Sequence, residues 1–331
     1  MRKFIIDTDI GSDDAVALIL ALKQPNVEVL AVTTVAGNCG LEHVVPNALM
    51  TIDVVNRQKP PVYRGAYAPI LRKKADAVNV HGRDGMGDCD LIHPVSAAVE
   101  KSAVMAILDL VRANPGEVEI IALGPVTNIA LAIMMDRETM KQVKHIWSMG
   151  TGGFGMGNSS PYAEFNVYAD PESYDVMLRS GIPLIIIGFD LCMQEGLPLS
   201  KEDMEYLMQS GVPEAVFVVR CNRCLLNYNL NKSGQYLVDL PDAVAMAAAL
   251  WPDIVLDAPR CYCETCLMEK AFYGQVAVYP EDRDEFLNEY DALPKNAVVI
   301  RKIDAAKYKM KLIRTLCKSE SRAAGASAPL R

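Results

Sequence analysis

The stretch Phe4-Ile5-Ile6-Asp7-Thr8-Asp9-Ile10-Gly11-Ser12-Asp13-Asp14 joins a short apolar run to four carboxylates. The apolar run predicts a buried strand at residues 4–6. Residues 13–23 are predicted to form a helix, because apolar side chains recur there at helical spacing. Gly11 allows a tight turn between the two elements. A strand that leads directly into a helix is the repeating unit of a parallel α/β sheet.

The same alternation of strands and helices continues along the chain. Further strands are predicted at 28–34, 119–123, 146–149 and 184–189, and further helices at 41–56, 99–113, 126–135, 171–180 and 201–208. Two late strands, 275–279 and 297–303, bracket an acidic stretch at 281–291 that we expect to be an exposed loop. We therefore expect an α/β fold with a mainly parallel central sheet and helices on both faces. It should form one domain over residues 1–317, followed by a disordered tail at 318–331.

The composition of the 331-residue chain narrows the classes of function. The chain is 51% apolar and 22% charged, which is typical of a globular protein and excludes wholesale disorder. Asp and Glu number 41 against 33 Lys and Arg, and this net charge of −8 argues against nucleic-acid binding. We expect no membrane association, because no apolar run approaches the ~20 residues that span a bilayer. Nine cysteines without a signal peptide indicate a reducing, cytoplasmic location.

The four carboxylates at positions 7–14 predict a metal site. Asp7 and Asp9 point to the same side of an extended chain, and the ends of parallel strands are where α/β proteins bind ligands. Helix capping by Ser12 or Asp13 would account for one or two of the acids but not for four. Carboxylates this close repel one another unless a cation or a shared proton lies among them. Oxygen ligands without His or Cys favour Ca²⁺ or Mg²⁺.

Three more polar clusters follow predicted strands. They are Thr33-Thr34-Val35-Ala36-Gly37-Asn38, Ala122-Leu123-Gly124-Pro125-Val126-Thr127-Asn128, and the segment 149–170 with Asn158, Glu164, Asn166 and Asp170. Each alone is ordinary loop chemistry. Because the carboxyl ends of parallel strands share one edge of the sheet, we expect the clusters to converge on one cleft.

These segments together resemble the inosine–uridine-preferring nucleoside hydrolases. Asp7-Thr8-Asp9-x-Gly11-x-Asp13-Asp14-Ala15 is similar to their N-terminal signature, and Thr33–Asn38 to their second-strand motif. Four later motifs are also similar: His81-Gly82-x-x-Gly85-Met86-Gly87, Gly124-Pro125-x-Thr127-Asn128-Ile129-Ala130, Met149-Gly150-x-Gly152, and Asn158-x-Ser160-Pro161-x-Ala163-Glu164-Phe165-Asn166-Val167-x-x-Asp170-Pro171. The matches run in order from residue 4 to about 316.

The resemblance implies a Ca²⁺-dependent enzyme that hydrolyses the N-glycosidic bond of ribonucleosides, releasing base and ribose. It implies that Ca²⁺ is held by Asp9, Asp14, the main-chain carbonyl of Leu123, and Asp242. Asp9 would also be the general base on the attacking water. Asp7 would not bind the metal itself but would orient the neighbouring ligands. A homodimer or homotetramer is implied as well.

The resemblance also assigns the sugar-binding residues. Asp13 and Asn38 would bind the ribose hydroxyls, and Asn158 and Glu164 would hold the 5′ side. Asn166 would have a catalytic role near the ring oxygen, where an oxocarbenium ion develops. Met149 would pack under the sugar, or would equally be an ordinary core methionine.

One position departs from the family pattern. Many members carry a His immediately before the last metal-binding Asp, where it helps to protonate the leaving base. Here that position is Pro241, in Val238-Asp239-Leu240-Pro241-Asp242, and proline has no proton to donate. The replacement acid is left open among Tyr228, Asn222, His81 and a nearby Cys, and stacking on the base alone is a further alternative. Asp239 is a weaker candidate metal ligand.

Several alternatives remain open on sequence alone. A catalytically weak nucleoside-binding protein of the same fold is favoured by Pro241, and Asp7-Thr8-Asp9 after a strand also suggests an aspartate-dependent phosphatase. Gly150-x-Gly152-x-x-Gly155 matches a dinucleotide fingerprint, but no helix is predicted to follow it.

Five cysteines have either of two interpretations: they have the pair spacing of a zinc site, or they are buried free thiols. They are Cys221, Cys224, Cys261, Cys263 and Cys266. Cys221 and Cys224 fall in a predicted helical stretch, 215–226.

Overall fold

A mixed β-sheet organises the part of the chain that the computed structural model describes, residues 1–268, 270–282 and 293–318. The strands are β1 (Arg2–Thr8), β2 (Val27–Thr34), β3 (Val62–Arg64), β4 (Val118–Ala122), β5 (His145–Met149), β6 (Leu184–Ile187), β7 (Val255–Asp257), β8 (Arg260–Thr265), β9 (Val276–Pro280), β10 (Ala297–Ile300) and β11 (Lys302–Ile303). Within those residues, nine strands form one sheet in the order β3-β2-β1-β4-β5-β6-β10-β8-β9, and β11 pairs with β7. In the nine-stranded sheet, the pairs along the order β3-β2-β1-β4-β5-β6-β10 are parallel, whereas β10–β8 and β8–β9 are antiparallel. The β11–β7 pair is also antiparallel.

Helices connect the parallel strands. They are α1 (Ser12–Leu22), α2 (Leu41–Val55), α3 (Val78–His81), α4 (Ala103–Ala113), α5 (Thr127–Met135), α6 (Arg137–Met140), α7 (Phe165–Ala169), α8 (Pro171–Leu178), α9 (Phe189–Cys192), α10 (Lys201–Gln209), α11 (Pro213–Cys221), α12 (Arg223–Ser233), α13 (Pro241–Leu250) and α14 (Ala305–Cys317). Among the described residues, no helix has the length and apolar character needed to cross a bilayer.

The core lies on both faces of the sheet because successive strand residues point in opposite directions. Phe4 and Ile6 of β1 pack with α1, α2, α13 and α14, whereas Ile5 packs on the other face with α4, α5 and α8. Every residue of α1 and of α13 is buried. The predicted fold class, a mainly parallel sheet with helices on both faces, is confirmed.

Several predicted elements have different ends, and the strand predicted at 297–303 is divided into β10 and β11. The helix expected from residue 99 begins at Ala103, because the Ser102 side chain accepts a hydrogen bond from the Met105 N–H and caps it. The strand expected to reach residue 189 ends at Ile187, since the chain turns at Gly188 into α9. Residues 283–291 of the predicted acidic loop and residues 319–331 of the predicted tail lie outside the described residues. The single domain over 1–317 stays a prediction.

The strand register places the predicted site segments side by side. Asp7 of β1 pairs with Thr33 of β2 and with Ala122 of β4, and Ala122 pairs with Ser148 of β5. The four strands therefore end at about the same level. The loops that follow them start from one edge of the sheet, as expected for a ligand site in an open α/β fold.

The full burial of α1 predicts that it is a main source of stability. Leu20 has 0% exposure, so Leu20→Ala should lower the free energy of unfolding by about 2–5 kcal/mol, through lost apolar burial and a residual cavity. Urea denaturation measures this change. Met134→Ala on α5, where the side chain is 55% exposed, is the control and should change stability by less than about 0.5 kcal/mol. Equal effects of the two substitutions would contradict the packing described here.

Candidate functional site

Acidic side chains meet where β1 leads into α1 and where α13 begins. Asp9, Asp13, Asp14 and Asp242 are all buried. One carboxylate oxygen from each of Asp13, Asp14 and Asp242 lies within 4.8 Å of the other two, an arrangement that could hold a metal ion. The predicted ligands Asp14 and Asp242 are thus brought together. Asp13, which was expected to bind ribose, joins them.

Asp9, also a predicted ligand, lies outside this group of three. Its Oδ2 accepts a hydrogen bond from the Asn38 main-chain N–H at 2.6 Å. Its Oδ1 and the Oδ1 of Asp13 are buried without a hydrogen-bond partner among the described residues. A Cβ atom at position 124 would lie only 2.7 Å from the Asp9 Oδ1, so Gly124 is required for this close approach. Buried oxygens left unsatisfied are costly, and a cation that prefers oxygen ligands would satisfy them.

Capping of α1 differs from the prediction. Its N-cap is Gly11 rather than Ser12 or Asp13. Asp14 caps the helix from inside, because its Oδ2 accepts a hydrogen bond from the Gly11 N–H at 2.8 Å. Capping therefore accounts for one of the four acids of the opening stretch and leaves the burial of the other three to be explained.

The electrostatics of the cluster favour protonation unless a cation is bound. Burial is the main reason that the pKa of Asp14 is raised to about 7, and the Asp13 carboxylate adds to the effect. Burial also raises the pKa of Asp9 and that of Asp242 well above the ordinary range, with repulsion from Asp14 as the second cause in each case. A divalent cation would reverse this effect, because it favours the charged form of nearby carboxylates.

Asp7 lies behind the cluster, as predicted, and is fully buried. Its Oδ1 accepts hydrogen bonds from Thr33 Oγ1 at 2.6 Å and from Asn128 Nδ2 at 2.8 Å. Asn128 also donates to the Thr34 carbonyl at 3.0 Å and accepts from the Ala66 N–H at 2.8 Å. The sequence placed Asn128 in a polar cluster without a role. In the structure it ties β1, the end of β2 and the loop after β3 together.

Two alternatives lose support from this geometry. Asp7 is enclosed by protein and offers no accessible oxygen to a phosphate ester, which argues against the aspartate-dependent phosphatase. The glycines at 150, 152 and 155 lie in the loop between β5 and α7 and do not open a helix, so a pyrophosphate would find no helix N-terminus there.

One wall of the site is built at the start of α7. Glu164 is the N-cap of this helix and accepts hydrogen bonds from main-chain N–H groups. Asn166 Nδ2 donates to the Leu123 carbonyl at 2.8 Å and to the Met149 carbonyl at 3.3 Å. Burial raises the pKa of Glu164 to about 7, although those main-chain hydrogen bonds act in the opposite direction. The predicted sugar-binding residues of this segment are therefore held in fixed positions.

A cavity of about 730 Å³ opens over the cluster, a volume suited to a small molecule. Eight of the predicted site residues line it: Asp13, Asn38, Leu123, Met149, Asn158, Glu164, Asn166 and Asp242. Asn38 also donates through Nδ2 to Asp14 Oδ2 at 3.2 Å, which links the cavity wall to the cluster. Asp9 and Asp14 have no exposed surface.

The cavity is also lined by residues that the sequence did not single out: Phe189, Asn229 and Lys232. Tyr228, His81 and Pro241 line it too, as does Asp239, which was predicted only as a weaker metal ligand and is not in the group of three carboxylates. Most of the missed residues lie in segment 223–239, where no family motif guided the analysis. Asn222, one candidate acid, is fully buried and donates to the Ser12 and Val218 carbonyls, so it does not line the cavity.

The cysteines remain free thiols in the structure. The predicted helix over 215–226 is interrupted at Asn222, so that Cys221 ends α11 and Cys224 lies in α12. Cys261 and Cys263 are buried in β8. Among the described residues, no cysteine belongs to a group of three metal-ligating side chains, which favours the buried-thiol alternative over a zinc site.

Curated relatives share part of this chain. It is 40% identical over 191 residues to "Probable uridine nucleosidase 2" of Oryza sativa subsp. japonica, covering 57% of each protein. It is 39% identical over 190 residues to "Pyrimidine-specific ribonucleoside hydrolase RihB" of Escherichia coli O9:H4, covering 57% of this chain and 60% of that protein. The chain thus spans about three-fifths of the length of these relatives.

Solved structures match over almost the whole fold. A plant nucleoside hydrolase superposes with a TM-score of 0.88 at 26% identity, covering 96% of this chain and 99% of that one. An inosine–guanosine nucleoside hydrolase gives a TM-score of 0.84 at 27% identity, with coverage of 96% and 99%. The sequence profile described as "Inosine-uridine preferring nucleoside hydrolase" matches residues 4–310, and the chain therefore belongs to that family.

Proposed function

We propose that this protein hydrolyses the N-glycosidic bond of ribonucleosides to free base and ribose, with Ca²⁺ as its cofactor. The observation that carries the proposal is the group of buried carboxylates with orphaned oxygens beneath a cavity of nucleoside size. Burying several like charges together is unfavourable unless a cation is present. Family membership supports the same conclusion.

Asp9, Asp14, Asp242 and the Leu123 carbonyl are the proposed Ca²⁺ ligands. A bound cation would lower the pKa of a water molecule and would position the ribose hydroxyls. Asp9 would accept the proton of the attacking water, because its Oδ1 has no hydrogen bond from the described protein groups. The Asn38 N–H holds Oδ2 and so fixes the orientation of the carboxylate.

The sugar would be held by the walls of the cavity. Asp13 and Asn38 would bind the ribose hydroxyls, and Asn158 and Glu164 would contact the 5′ side. Asn166 would lie near the ring oxygen, where positive charge develops as the glycosidic bond lengthens. Its Nδ2 hydrogen bonds to the Leu123 and Met149 carbonyls set the side chain before substrate arrives, which lowers the cost of reorganisation.

The proposal covers ribonucleosides as a class. Two of the relatives are named for uridine or pyrimidine nucleosides, and a third is named for inosine and guanosine. We further propose that the protein is cytoplasmic and forms a homodimer or homotetramer. It is proposed neither to bind nucleic acid nor to associate with membranes. A catalytically weak nucleoside-binding protein is the second candidate, favoured by Pro241 at the position of a usual proton donor.

A nucleoside panel separates these candidates. Purified protein is incubated with purine and pyrimidine ribonucleosides in Ca²⁺ or in chelator, and free base and reducing sugar are quantified. The proposal predicts both products in Ca²⁺ and their loss in chelator. Binding of a nucleoside without any release of base would support the binding protein instead.

Asp9→Ala should abolish base release. Loss of a general base costs about 10²–10⁴-fold in rate, and the loss of a ligand oxygen adds to it. The measurement is the initial rate of base release for the best substrate of the panel. Asp90→Asn is the control, because its side chain is 92% exposed, and it should retain the wild-type rate. An Asp9→Ala protein with wild-type activity would remove Asp9 from the mechanism.

The pH dependence of stability should reveal the cluster. Since burial raises the pKa of Asp14 to about 7 in the folded protein, the metal-free fold binds more protons than the unfolded chain. Its stability should therefore fall as the pH rises from about 4 through 7. Ca²⁺ requires ionised ligands, so the rise in Tm on adding Ca²⁺ should be larger at pH 8 than at pH 6.

Differential scanning calorimetry with and without Ca²⁺ measures this difference. In an Asp14→Asn protein, the pH dependence of the Ca²⁺-induced rise in Tm should weaken. A wild-type rise in Tm of the same size at both pH values would show that the cluster does not titrate as described.

A further inference from the structure

Pro241 cannot protonate the departing base, because proline has no proton to donate. It occupies the first turn of α13, lines the cavity and precedes Asp242. A departing base nitrogen is a poor leaving group unless it is protonated, so hydrolysis needs an acid on another wall of the cavity. The candidates are the ionisable side chains that line it: Asp13, Asp76, His81, Glu164, Tyr168, Tyr228, Lys232, Asp239 and Asp242.

Most of these groups are already occupied. Asp13 and Asp242 belong to the carboxylate cluster. Both carboxylate oxygens of Glu164 already accept main-chain hydrogen bonds, Oε1 from Asn166 and Oε2 from Thr151 and Val167. Asp76 lies at the surface and is exposed to solvent, so it is not held in place against a bound base.

His81 and Tyr228 are poorly suited as acids. The His81 Nδ1 is already engaged with α1: it lies 3.0 Å from the Ser12 Oγ, 3.4 Å from the Ser12 main-chain nitrogen and 3.7 Å from the Asp13 Oδ1. Tyr228 accepts a hydrogen bond from Lys232 Nζ at 3.4 Å. Lys232 is thereby engaged with Tyr228, and the Tyr168 ring packs under the Arg72 guanidinium, 4.1 Å from the ring centroid.

Asp239 is placed differently. Its neighbour Val238 is fixed by two main-chain hydrogen bonds with Leu199, at 2.8 and 3.0 Å, just before α13 begins. Asn229 Nδ2 donates to the Asp239 Oδ1 at 2.5 Å and to the Leu237 carbonyl at 3.0 Å. The second carboxyl oxygen receives no hydrogen bond from another residue in the described part of the chain and is available to the cavity.

The surroundings of Asp239 favour its protonated form. Burial is the main cause that raises its pKa, and the Asp13 carboxylate on α1 acts in the same direction. The Asn229 hydrogen bond acts against this, as would a positive charge on His81. The other ionisable groups that line the same cavity from adjoining helices are Tyr228 and Lys232 on α12 and Asp242 on α13.

We propose that Asp239 is the general acid that protonates the leaving base, an inference that rests on the proposed hydrolase function. As the C1′–N bond breaks, its electron pair passes to the base nitrogen and the Asp239 carboxyl group gives its proton to the base. The water oxygen bonds to C1′ and its proton passes to Asp9. Solvent exchange then returns Asp239 to the acid and Asp9 to the base form. Asn229 is a positioning residue that holds the carboxyl group.

Two substrates test this role, a ribonucleoside and 4-nitrophenyl riboside, whose leaving group needs no protonation. Asp239→Asn should lower kcat on the nucleoside by about 10²–10⁴-fold, while kcat on the nitrophenyl riboside stays within about 3-fold of wild type. Asp90→Asn, which alters a carboxylate that is 92% exposed and does not line the cavity, is the matched control. Both of its rates should stay within about 3-fold of wild type.

The wild-type protein supplies a second test that does not depend on the variant folding. Because the acid must be protonated, kcat/KM on the nucleoside should fall as the pH rises through the pKa of Asp239, and this limb should be absent for the nitrophenyl riboside. Equal losses on both substrates, or the same basic limb with both, would overturn the role of Asp239 and leave the hydrolase function standing. A wild-type protein inactive on both substrates would overturn the proposed function itself, and this inference with it.

Discussion

The burial of several carboxylates at one point is the constraint on which the structure depends. Asp9, Asp14 and Asp242 are removed from solvent, which raises the pKa of each; the Asp13 carboxylate raises all three further, and Asp14 also raises those of Asp9 and Asp242. A fold can tolerate this only with protons or a cation among them. The sheet, the fully buried α1 and α13, and the cavity above are all arranged around that point, because the two helices bring residues 14 and 242 together.

Long-range hydrogen bonds from side-chain amides position the groups around the carboxylates. Asn128 links Asp7 to the end of β2, and Asn166 orients the Leu123 carbonyl. Each of these hydrogen bonds joins residues far apart in sequence, 121 positions in the case of Asn128 and Asp7. They hold the loops at the carboxyl edge of the sheet rigidly, so that the site is largely formed before any ligand binds.

Local patterns sufficed for seven of the nine strands described in the sheet, because their apolar runs are short and the helices between them are periodic. They missed β3, which has only three residues, and β8, in which polar and charged residues interrupt the apolar ones. They also sufficed for the carboxylates, since four acids at one strand end have few explanations. They failed where contacts between residues distant in sequence determine the local structure. The N-cap of α1 is Gly11 because Asp14 folds back onto its N–H, and Asn222 is buried because it bonds to α1. Asp239 and Asn229 were missed as a pair, since only the fold brings α12 against the start of α13.

The most direct test of the central claim is calcium titration of metal-free protein by isothermal calorimetry. We expect one Ca²⁺ per chain, bound with release of protons at pH 7, and loss of this binding in an Asp242→Asn protein that remains folded. Wild-type protein that binds no Ca²⁺, or Asp242→Asn protein that binds it as well as wild type, would contradict the account of the buried carboxylates as a cation site.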